Sequence, residues 1–364
     1  MPQDTDIIEY LTIAVERGAS DLHLCVGSQV MIRLHGDLVP ITEDVLDADT
    51  VRELIFSIFT ENQRARFEEN WELDFALTIK GLGRFRSNAH YSRGAVEATF
   101  RHIPDSIPSL DSLGLPPILH ALCGLEQGLV LVTGITGSGK TTTLAAMVDE
   151  INAARSGVII SIEDPIEYLI PHKLCRVKQR EIGSDTKSFP EALRHVLRQD
   201  PDVILISEMR DLETISAAIT AAETGHLVLA TLHTIDAPKA IDRIVDAFPA
   251  DQQAQIVAQL ANALQAIVAQ RLLPRADQTG RVLCAEVMMM NDGVRSCLRD
   301  RRFQQVLSMI EIGSKDGMIT IDESVSNLYT AGIITQEEAL LNARDPARIM
   351  ATKAPAPAKK GFFG

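Results

Sequence analysis

The stretch Leu129-Val130-Leu131-Val132-Thr133-Gly134-Ile135-Thr136-Gly137-Ser138-Gly139-Lys140-Thr141 decides how this chain folds. It opens with an apolar run of strand length. The residues Thr141–Asn152, which begin at its last residue, have a helical pattern. Between the two, the segment from Gly134 to Thr141 matches G-x-x-x-x-G-K-[ST] in the strand–loop–helix setting that this motif requires. The stretch therefore predicts a P-loop, a phosphate-binding loop, at the end of a buried strand.

The chemistry of a P-loop gives each residue of this motif a role. The glycines let backbone N–H groups curl around a phosphate, and the following helix presents its positive N-terminal end. Lys140 is predicted to reach the β- and γ-phosphates, and Thr141 to ligate Mg²⁺. The predicted cofactors are therefore ATP and Mg²⁺. The candidate nucleotide-binding residues are Gly134, Thr136, Gly137, Ser138, Gly139, Lys140, Thr141 and Thr142.

Two further apolar runs end in acidic residues. The run Val203–Ile206 is followed closely by Glu208, and another apolar run leads into Glu163 and Asp164. A P-loop enzyme needs an acid on the magnesium side and a group that orients the attacking water. We expect Glu208 to serve Mg²⁺, partly through water, and Glu163 to orient the water. A capping or solvated role is the commoner alternative for isolated acids at strand ends.

Two histidines bracket the apolar segment Leu227–Leu232. His226 and His233 are seven residues apart, which is a poor local geometry for a shared metal ion. A histidine at a strand end can sense the γ-phosphate or hydrogen-bond the catalytic carboxylate. On the residues alone, a purely structural role for both histidines stays open.

The strand and helix patterns divide the chain into two domains. Residues 1–104 have an α+β pattern without a βαβ rhythm, which favours a mostly antiparallel sheet. After a prolyl linker at 105–112, residues 113–345 alternate buried strands with helices, which indicates a parallel α/β sheet. A long helix is predicted over Gln252–Gln270, and an Ala/Pro/Lys-rich, disordered tail over 346–364.

Composition and charge disfavour several classes of protein. The chain has 46% apolar and 23% charged residues, which is ordinary globular usage and excludes wholesale disorder. Its net charge of −14 disfavours a broad nucleic-acid-binding face. No apolar stretch reaches the ~20 residues of a membrane-spanning helix, and the acidic N-terminus does not resemble a secretory signal. The five cysteines form no CxxC, which fits a reducing cytosol and disfavours disulfides and a structural zinc.

Taken together, the motifs resemble the hexameric ATPases of the secretion and type IV pilus family, and within it most closely the PilT/PilU retraction ATPases. The resemblance covers roughly residues 5–345. The matching segments are Ser20–Leu24, the P-loop, Ile162–Tyr168, Leu197–Asp211, Gly225–Thr234 and Arg243–Pro249. The element Gly293–Asp300 departs from the pattern of the retraction enzymes, which leaves a specialised, PilU-like paralogue open.

The resemblance implies a fold and a set of site residues. It implies a PAS-like N-terminal domain, a RecA-like ATPase domain with a helical C-terminal part, and nucleotide bound near the subunit boundaries of a homo-hexamer. Glu163 matches the family's catalytic carboxylate and Glu208 its Walker B acid, while His226 and His233 match its His box. The family's phosphate-binding arginines, which precede the linker, are matched by Arg84, Arg86, Arg93 and Arg101.

The resemblance also implies a function, which is an ATP-driven motor of the type IV pilus that retracts it and supports twitching motility. The implied partners are an inner-membrane platform protein, which holds the cytoplasmic chain peripherally at that membrane, and a paralogous pilus ATPase. A pilus assembly or type II secretion ATPase of the PilB/GspE type is the alternative, but those proteins carry a four-cysteine zinc motif and a longer N-terminal region. A RecA-like nucleic-acid motor is a remoter alternative, which the acidic charge and the 4% aromatic content disfavour.

Overall fold

The computed structural model describes residues 6–34, 36–103 and 106–351 of the chain. The chain divides into two compact units, each with its own sheet, so the fold is mixed α/β. Among the described residues, the first unit comprises 6–34, 36–103, 106 and 165–169, and the second comprises 107–164 and 170–351. The inclusion of 165–169 in the first unit is a long-range arrangement that the order of elements along the chain did not predict.

The first unit is built on a six-stranded sheet in which all neighbouring strands are antiparallel, as the pattern predicted. Its spatial order is β3-β2-β1-β6-β5-β4. The sequence pattern missed the short strand β3, which lies at an edge and is mostly exposed. The strands are β1 Asp21–Leu24, β2 Met31–Leu34, β3 Asp37–Pro40, β4 Glu72–Ile79, β5 Gly83–Ser92 and β6 Ala95–Ile103.

Three helices complete the first unit, and each begins at a side-chain cap. They are α1 Ile7–Glu16, α2 Ala48–Ser57 and α3 Glu61–Asn70. Asp6 caps α1 and Asp47 caps α2, while Thr60 and Gln63 form a reciprocal capping box at α3. The apolar faces of the helices join the buried side chains of the sheet in one core.

The second unit is built on a seven-stranded sheet of order β13-β12-β7-β11-β10-β8-β9. All neighbouring pairs are parallel except β12 with β13, so the predicted parallel sheet is confirmed. The strands are β7 Gly128–Thr133, β8 Gly157–Glu163, β9 Cys175–Glu181, β10 Val203–Ile206, β11 Leu227–Leu232, β12 Leu264–Pro274 and β13 Arg281–Met289. Because parallel strands end at the same edge, the loops after β7, β8, β10 and β11 share one edge, here called the carboxyl edge.

Helices cover both faces of this sheet, and their apolar sides form two large clusters with the strands, while the last helices of the described chain form a smaller third cluster. The helices are α4 Ile118–Cys123, α5 Lys140–Ala154, α6 Phe189–Val196, α7 Leu212–Glu223, α8 Ala237–Asp246, α9 Gln253–Ala263, α10 Asp292–Arg299, α11 Val306–Ile312, α12 Ile321–Thr330, α13 Gln336–Asn342 and α14 Pro346–Ala351. Two short 3₁₀ turns lie at Phe303–Gln305 and Ser314–Asp316.

The long helix predicted over Gln252–Gln270 is wrong in its second half. The helix α9 ends at Ala263, and the next residues form β12, which pairs in parallel with β7. Residues Ala266–Ala269 are all buried because β12 lies inside the sheet with helices on both faces. A strand that is apolar on both faces has no period-two pattern, so its sequence reads as a continuation of the helix.

The predicted linker and tail also need correction. Residues 107–112 of the predicted linker belong to the second unit, where the side chain of Leu110 is buried in the core. The predicted tail over 346–364 begins with the helix α14, whose Ile349 is fully buried beside Val325 and Tyr329. The rest of that tail, 352–364, lies outside the described residues, as do Pro104 and Asp105.

Candidate nucleotide site

The P-loop connects the carboxyl end of β7 to α5. Gly137 and Gly139 have φ values of 77° and 88°, in the left-handed region that favours glycine. A Cβ atom on Gly134 would lie 2.4 Å from both the carbonyl oxygen of Gln270 and the hydroxyl of Ser138. Within the described residues no side chain forms a capping hydrogen bond at the N-terminus of α5. The loop therefore has the geometry of a phosphate cradle.

Lys140 lies folded over this loop. Its ammonium Nζ donates to the carbonyl oxygens of Gly134 at 2.9 Å and Ile135 at 3.0 Å. The residue is only 9% exposed, so the charge stays next to the loop and does not extend into solvent. A cation held there lies where the β- and γ-phosphates of a P-loop ligand are expected.

Gln270 of β12 forms hydrogen bonds to the P-loop and to α5, and the sequence analysis did not predict this role. Its Nε2 donates to the carbonyl oxygen of Ser138 at 2.8 Å, and its Oε1 accepts from the hydroxyl of Thr143 at 3.1 Å. The residue is 1% exposed, and it thus joins the loop to the first turn of α5 with a buried amide. The sequence signal that could have indicated it is a glutamine directly after the apolar run Ala266–Ala269.

The carboxyl edge brings most of the predicted catalytic residues together. The central strands lie in the order β7-β11-β10-β8, so the P-loop, His233, Glu208 and Glu163 lie at the carboxyl ends of four consecutive strands of the sheet. In register, Leu232 faces Thr133, and Ile206 faces Ile162. Because β11 lies between β7 and β10, Glu208 follows the second strand from the P-loop strand.

Glu163 is held at the end of β8 by two neutral donors. The hydroxyl of Ser161 donates to its Oε1 at 2.6 Å, and Nε2 of Gln179 donates to the same oxygen at 3.0 Å. The residue is 5% exposed. Gln179 lies on the neighbouring strand β9, in register with Ser161. These two hydrogen bonds orient the carboxylate, which suits a group that aligns a water molecule.

Glu208 lies between two basic side chains. Its Oε1 is 2.7 Å from Nε of Arg210 and 3.0 Å from Nε2 of His233. Burial raises the pKa of Glu208, but the hydrogen bonds and charges of Arg210 and His233 outweigh it, so the pKa lies below the ordinary glutamate value. Glu208 is therefore ionised at neutral pH, and it links the ends of β10 and β11.

His226 lies apart from these residues. It precedes β11 at the opposite edge of the sheet, about 23 Å from His233 at the ~3.3 Å rise per strand residue. Its Nδ1 is 2.9 Å from the carbonyl oxygen of Ala221, at the end of α7. The strand that joins the two histidines thus separates them, and the geometry does not support a catalytic role for His226 at the P-loop of its own chain.

The four predicted arginines lie in the first unit and take three different positions. Arg84 and Arg86 of β5 both contact the segment 165–169. Nε of Arg101 donates to Oδ1 of the buried Asp21 at 2.8 Å, although the guanidinium side chain is still 65% exposed. Arg93 is exposed in the turn between β5 and β6, where its φ is 52°.

The residues of the carboxyl edge fit a nucleotide and a hard divalent cation. The buried hydroxyls of Thr133 and Ser138 have no hydrogen-bond partner among the described residues, as a polar ligand at this loop would require. Thr141 and Glu208 supply the oxygen donors that Mg²⁺ prefers, and Mg²⁺ usually binds one or two protein oxygens together with phosphates. Across the described part of the chain, no group of three or more His, Cys, Asp or Glu side chains could hold a metal ion by itself.

None of the helices in residues 6–34, 36–103 and 106–351 combines the length and the apolar character that a membrane span needs.

Comparison with known proteins agrees with this site. A family model described as type II/IV secretion system protein matches residues 2–341. The chain is 44% identical to the type IV pilus retraction ATPase PilT of Pseudomonas aeruginosa, over 94% of this chain and 98% of that protein. It is 43% identical to the type IV pilus ATPase PilU of the same organism, over 92% and 87% of the two chains.

A solved structure gives the same result at the level of the fold. The crystal structure of the pilus retraction motor PilT with bound ADP superimposes with a TM-score of 0.89 and 45% sequence identity. The match covers 95% of this chain and 99% of that one.

Proposed function

The chain belongs to the type II/IV secretion system protein family, and from that premise we propose that it is an ATP-hydrolysing motor that retracts a type IV pilus. The observation that carries the proposal is the gathering of the P-loop, Glu163, Glu208 and His233 at one edge of the second sheet. Similarity to a retraction ATPase over nearly the whole of both chains favours retraction over the assembly and type II secretion alternative. The proposal covers both a PilT-like and a PilU-like role in retraction.

Binding of ATP falls to the P-loop and the residues that support it. The backbone N–H groups from Thr136 to Thr142 surround the phosphates, and Lys140 shifts from the loop carbonyls to the β- and γ-phosphate oxygens. Thr141 and Glu208 would hold Mg²⁺, Glu208 partly through water. When bound, Mg²⁺ neutralises negative charge on the phosphates during transfer.

Hydrolysis falls to the acids of the carboxyl edge. Glu163 accepts a hydrogen bond from the attacking water and aligns it with the γ-phosphorus, and it takes the proton that the water loses. Ser161 and Gln179 keep its carboxylate turned in one direction. His233 holds Glu208 through their 3.0 Å contact, and it is the histidine that we assign to the site.

Membership of the family supports a proposal for the wider architecture. The first unit is PAS-like and the second is RecA-like, and six chains form a ring with nucleotide near the subunit boundaries. Arg93 and Arg101 of the first unit supply positive charge to a phosphate site across such a boundary. Arginine suits this task because its guanidinium stays charged and grips phosphate oxygens in a fork.

In the cell, this motor works in the cytoplasm at the inner membrane. A platform protein of the pilus holds it there, and a paralogous pilus ATPase is a further partner. ATP hydrolysis rotates the first unit of each chain against the second, and the ring transmits that motion to the platform.

The test is a deletion strain with complementation. Loss of a retraction motor leaves excess surface pili without twitching motility, whereas loss of an assembly motor leaves no pili. We expect the wild-type gene to restore motility and Lys140→Ala to fail. Lys173→Ala is the matched control, because Lys173 forms a surface ion pair with Asp149 at 2.7 Å and lies outside the P-loop. A deletion strain without surface pili would contradict the proposed role in retraction and support the assembly alternative.

A further inference from the structure

The segment Pro165–Leu169, here called the anchor loop, connects the catalytic edge to the first unit. It begins two residues after Glu163, yet it groups with the first unit. Nε of Arg84 donates to the carbonyl oxygen of Ile166 at 2.7 Å, and Nη1 of Arg86 lies 3.0 Å from Oε1 of Glu167. Two arginines of β5 therefore hold the anchor loop at successive residues.

The second unit holds the flanks of the same loop through one side chain. Nε2 of Gln179 donates to Glu163 at 3.0 Å, and Oε1 of Gln179 accepts from the backbone N–H of Ile170 at 2.8 Å. Gln179 thus contacts Glu163, which lies two residues before the start of the loop, and Ile170, which directly follows it. Only Asp164 separates the catalytic carboxylate from the part that the first unit holds.

We propose that Arg84 and Arg86 are positioning residues that hold the anchor loop and thereby set the orientation of Glu163. The proposal rests on the proposed function, in which Glu163 orients the attacking water. It departs from the expectation that these two arginines bind phosphate. A displacement of about 1 Å in a catalytic group can cost as much as 10²-fold in rate, so a small shift of this short connection is enough to matter.

The partners of the two guanidinium groups favour positioning over phosphate binding. Arg84 is fixed by a backbone carbonyl and, through Nη1, by the hydroxyl of Thr78 at 2.9 Å. Arg86 is fixed by a carboxylate, in an ion pair whose side chains are 46% and 26% exposed. Exposed pairs of this kind contribute little to stability. Breaking the pair should therefore alter the loop without unfolding the protein.

The two roles predict different behaviour when charges are exchanged. An arginine that binds phosphate is needed whatever residue stands at position 167. An arginine that acts through Glu167 can be replaced if both charges are reversed together. The test therefore uses Arg86→Glu, Glu167→Arg and the double exchange, in the full-length protein. Arg64→Ala is the matched control, because Arg64 pairs with Glu68 at 3.1 Å in the same unit, away from the anchor loop.

Steady-state ATP hydrolysis with Mg²⁺ gives the first readout. We expect each single reversal to lower kcat about fivefold with KM within about twofold, and the double exchange to recover most of the loss. The control should match the wild type. Two results would overturn the proposal. The first is a kcat of the double exchange no higher than that of Arg86→Glu. The second is a raised KM for Arg86→Glu together with wild-type kinetics for Glu167→Arg.

A second readout separates positioning from a general effect on stability. In a Glu163→Gln background, Arg86→Ala should cause no further loss of turnover, because the residue through which it acts is already changed. Equal fold losses in both backgrounds would overturn the proposal, since a merely structural role is additive.

A third readout does not depend on catalysis. Hydrogen exchange of the backbone over residues 160–170 should speed up in each single reversal and return towards wild type in the double exchange. Unchanged exchange in the single variants overturns the proposal. A wild-type protein that fails to hydrolyse ATP would contradict the proposed function, and this exchange experiment would still decide the role of Arg86.

Discussion

Nε2 of His233 lies 3.0 Å from Oε1 of Glu208, and this contact joins the ends of two adjacent parallel strands beside the P-loop. The same carboxylate oxygen lies 2.7 Å from Arg210. These two partners more than offset the burial that raises the pKa of Glu208, so the carboxyl group titrates below its usual range. A negative charge is thereby kept at the site where Mg²⁺ is proposed to bind.

The lowered pKa of Glu208 predicts a pH dependence of stability. A carboxyl group whose pKa is lower in the folded state stabilises that state above its unfolded pKa, near 4.5, and loses the effect as the pH falls through the folded value. The melting temperature of Glu208→Gln should therefore lie below that of the wild type at pH 7, and the gap should close below about pH 4.5. Thermal unfolding from pH 7 to pH 3 measures it.

The control for this measurement is Glu68→Gln, which removes one side of an exposed ion pair with Arg64. Exposed pairs contribute ~0–1 kcal/mol, so its melting temperature should follow the wild type across the range. A gap between wild type and Glu208→Gln that widens in acid would contradict the assigned sign of the pKa shift.

Glu163→Gln should separate binding from turnover. The amide keeps the size of the side chain but cannot accept the proton of the attacking water, so we expect turnover at least tens-fold slower with ATP binding retained. Lys140→Ala should lose binding or turnover altogether. Equilibrium binding of a fluorescent ATP analogue and phosphate release measure the two steps. Glu311→Gln, a surface change on α11, is the control, and wild-type turnover by Glu163→Gln would remove that residue from the mechanism.

Gln270→Ala should weaken nucleotide binding. The change leaves the carbonyl of Ser138 and the hydroxyl of Thr143 without their buried partner, which costs ~1–3 kcal/mol per unsatisfied group. Since the same groups shape the P-loop, we expect the dissociation constant for ATP to rise about tenfold. The matched control is Gln259→Ala, whose side chain binds Glu223 on the exposed side of α9. Unchanged ATP affinity in Gln270→Ala would show that the loop does not depend on this support.

The sequence predicted the carboxyl edge well because its signals are local. An apolar strand followed by glycines and Lys140, or ending in Glu163, can be recognised from a segment of a few residues. The strand β12 was not predicted because both of its faces are buried. The edge strands β3 and β9 were not predicted because they are short or largely polar.

The contacts that complete the site could not be predicted in the same way. Gln270 is 132 residues from Ser138, and Arg84 is 82 residues from Ile166. Such pairs depend on which strands become neighbours and on how a loop folds back. The hydrophobic periodicity of a short segment predicts neither. The separation of His226 from the P-loop also required the direction of β11 within the sheet.

We predict that the protein contains no structural zinc. The described cysteines are unpaired, and burial raises the pKa of Cys123 to about 12 and that of Cys284 to about 11, which disfavours the thiolate form that zinc needs. Elemental analysis of EDTA-washed protein should find far less than one zinc per chain. Stoichiometric zinc would contradict this prediction and favour the assembly and secretion alternative.

Catalysis should require oligomers, with Arg93 or Arg101 acting across a subunit boundary. Both arginines lie in the unit that lacks the P-loop, and both are exposed. An arginine supplied to a phosphoryl-transfer site can contribute ~10³–10⁵ in rate. We therefore expect Arg93→Ala or Arg101→Ala to depress turnover severely while Lys140 and the P-loop stay intact. ATPase activity per chain should also fall when the wild-type protein is diluted to monomers.

Mixing variants decides whether the arginine acts in trans. An arginine-deficient chain has an intact P-loop, and a Lys140→Ala chain has intact arginines, so a mixed ring contains boundaries at which both are present. ATPase activity should recover in part when the two inactive proteins are combined, and it should not recover when either is combined with itself. Two outcomes contradict the prediction: near-normal activity in both arginine variants, or a dilute monomer as active per chain as the concentrated protein. In either case the exposed arginines would form only a solvated face of the first unit.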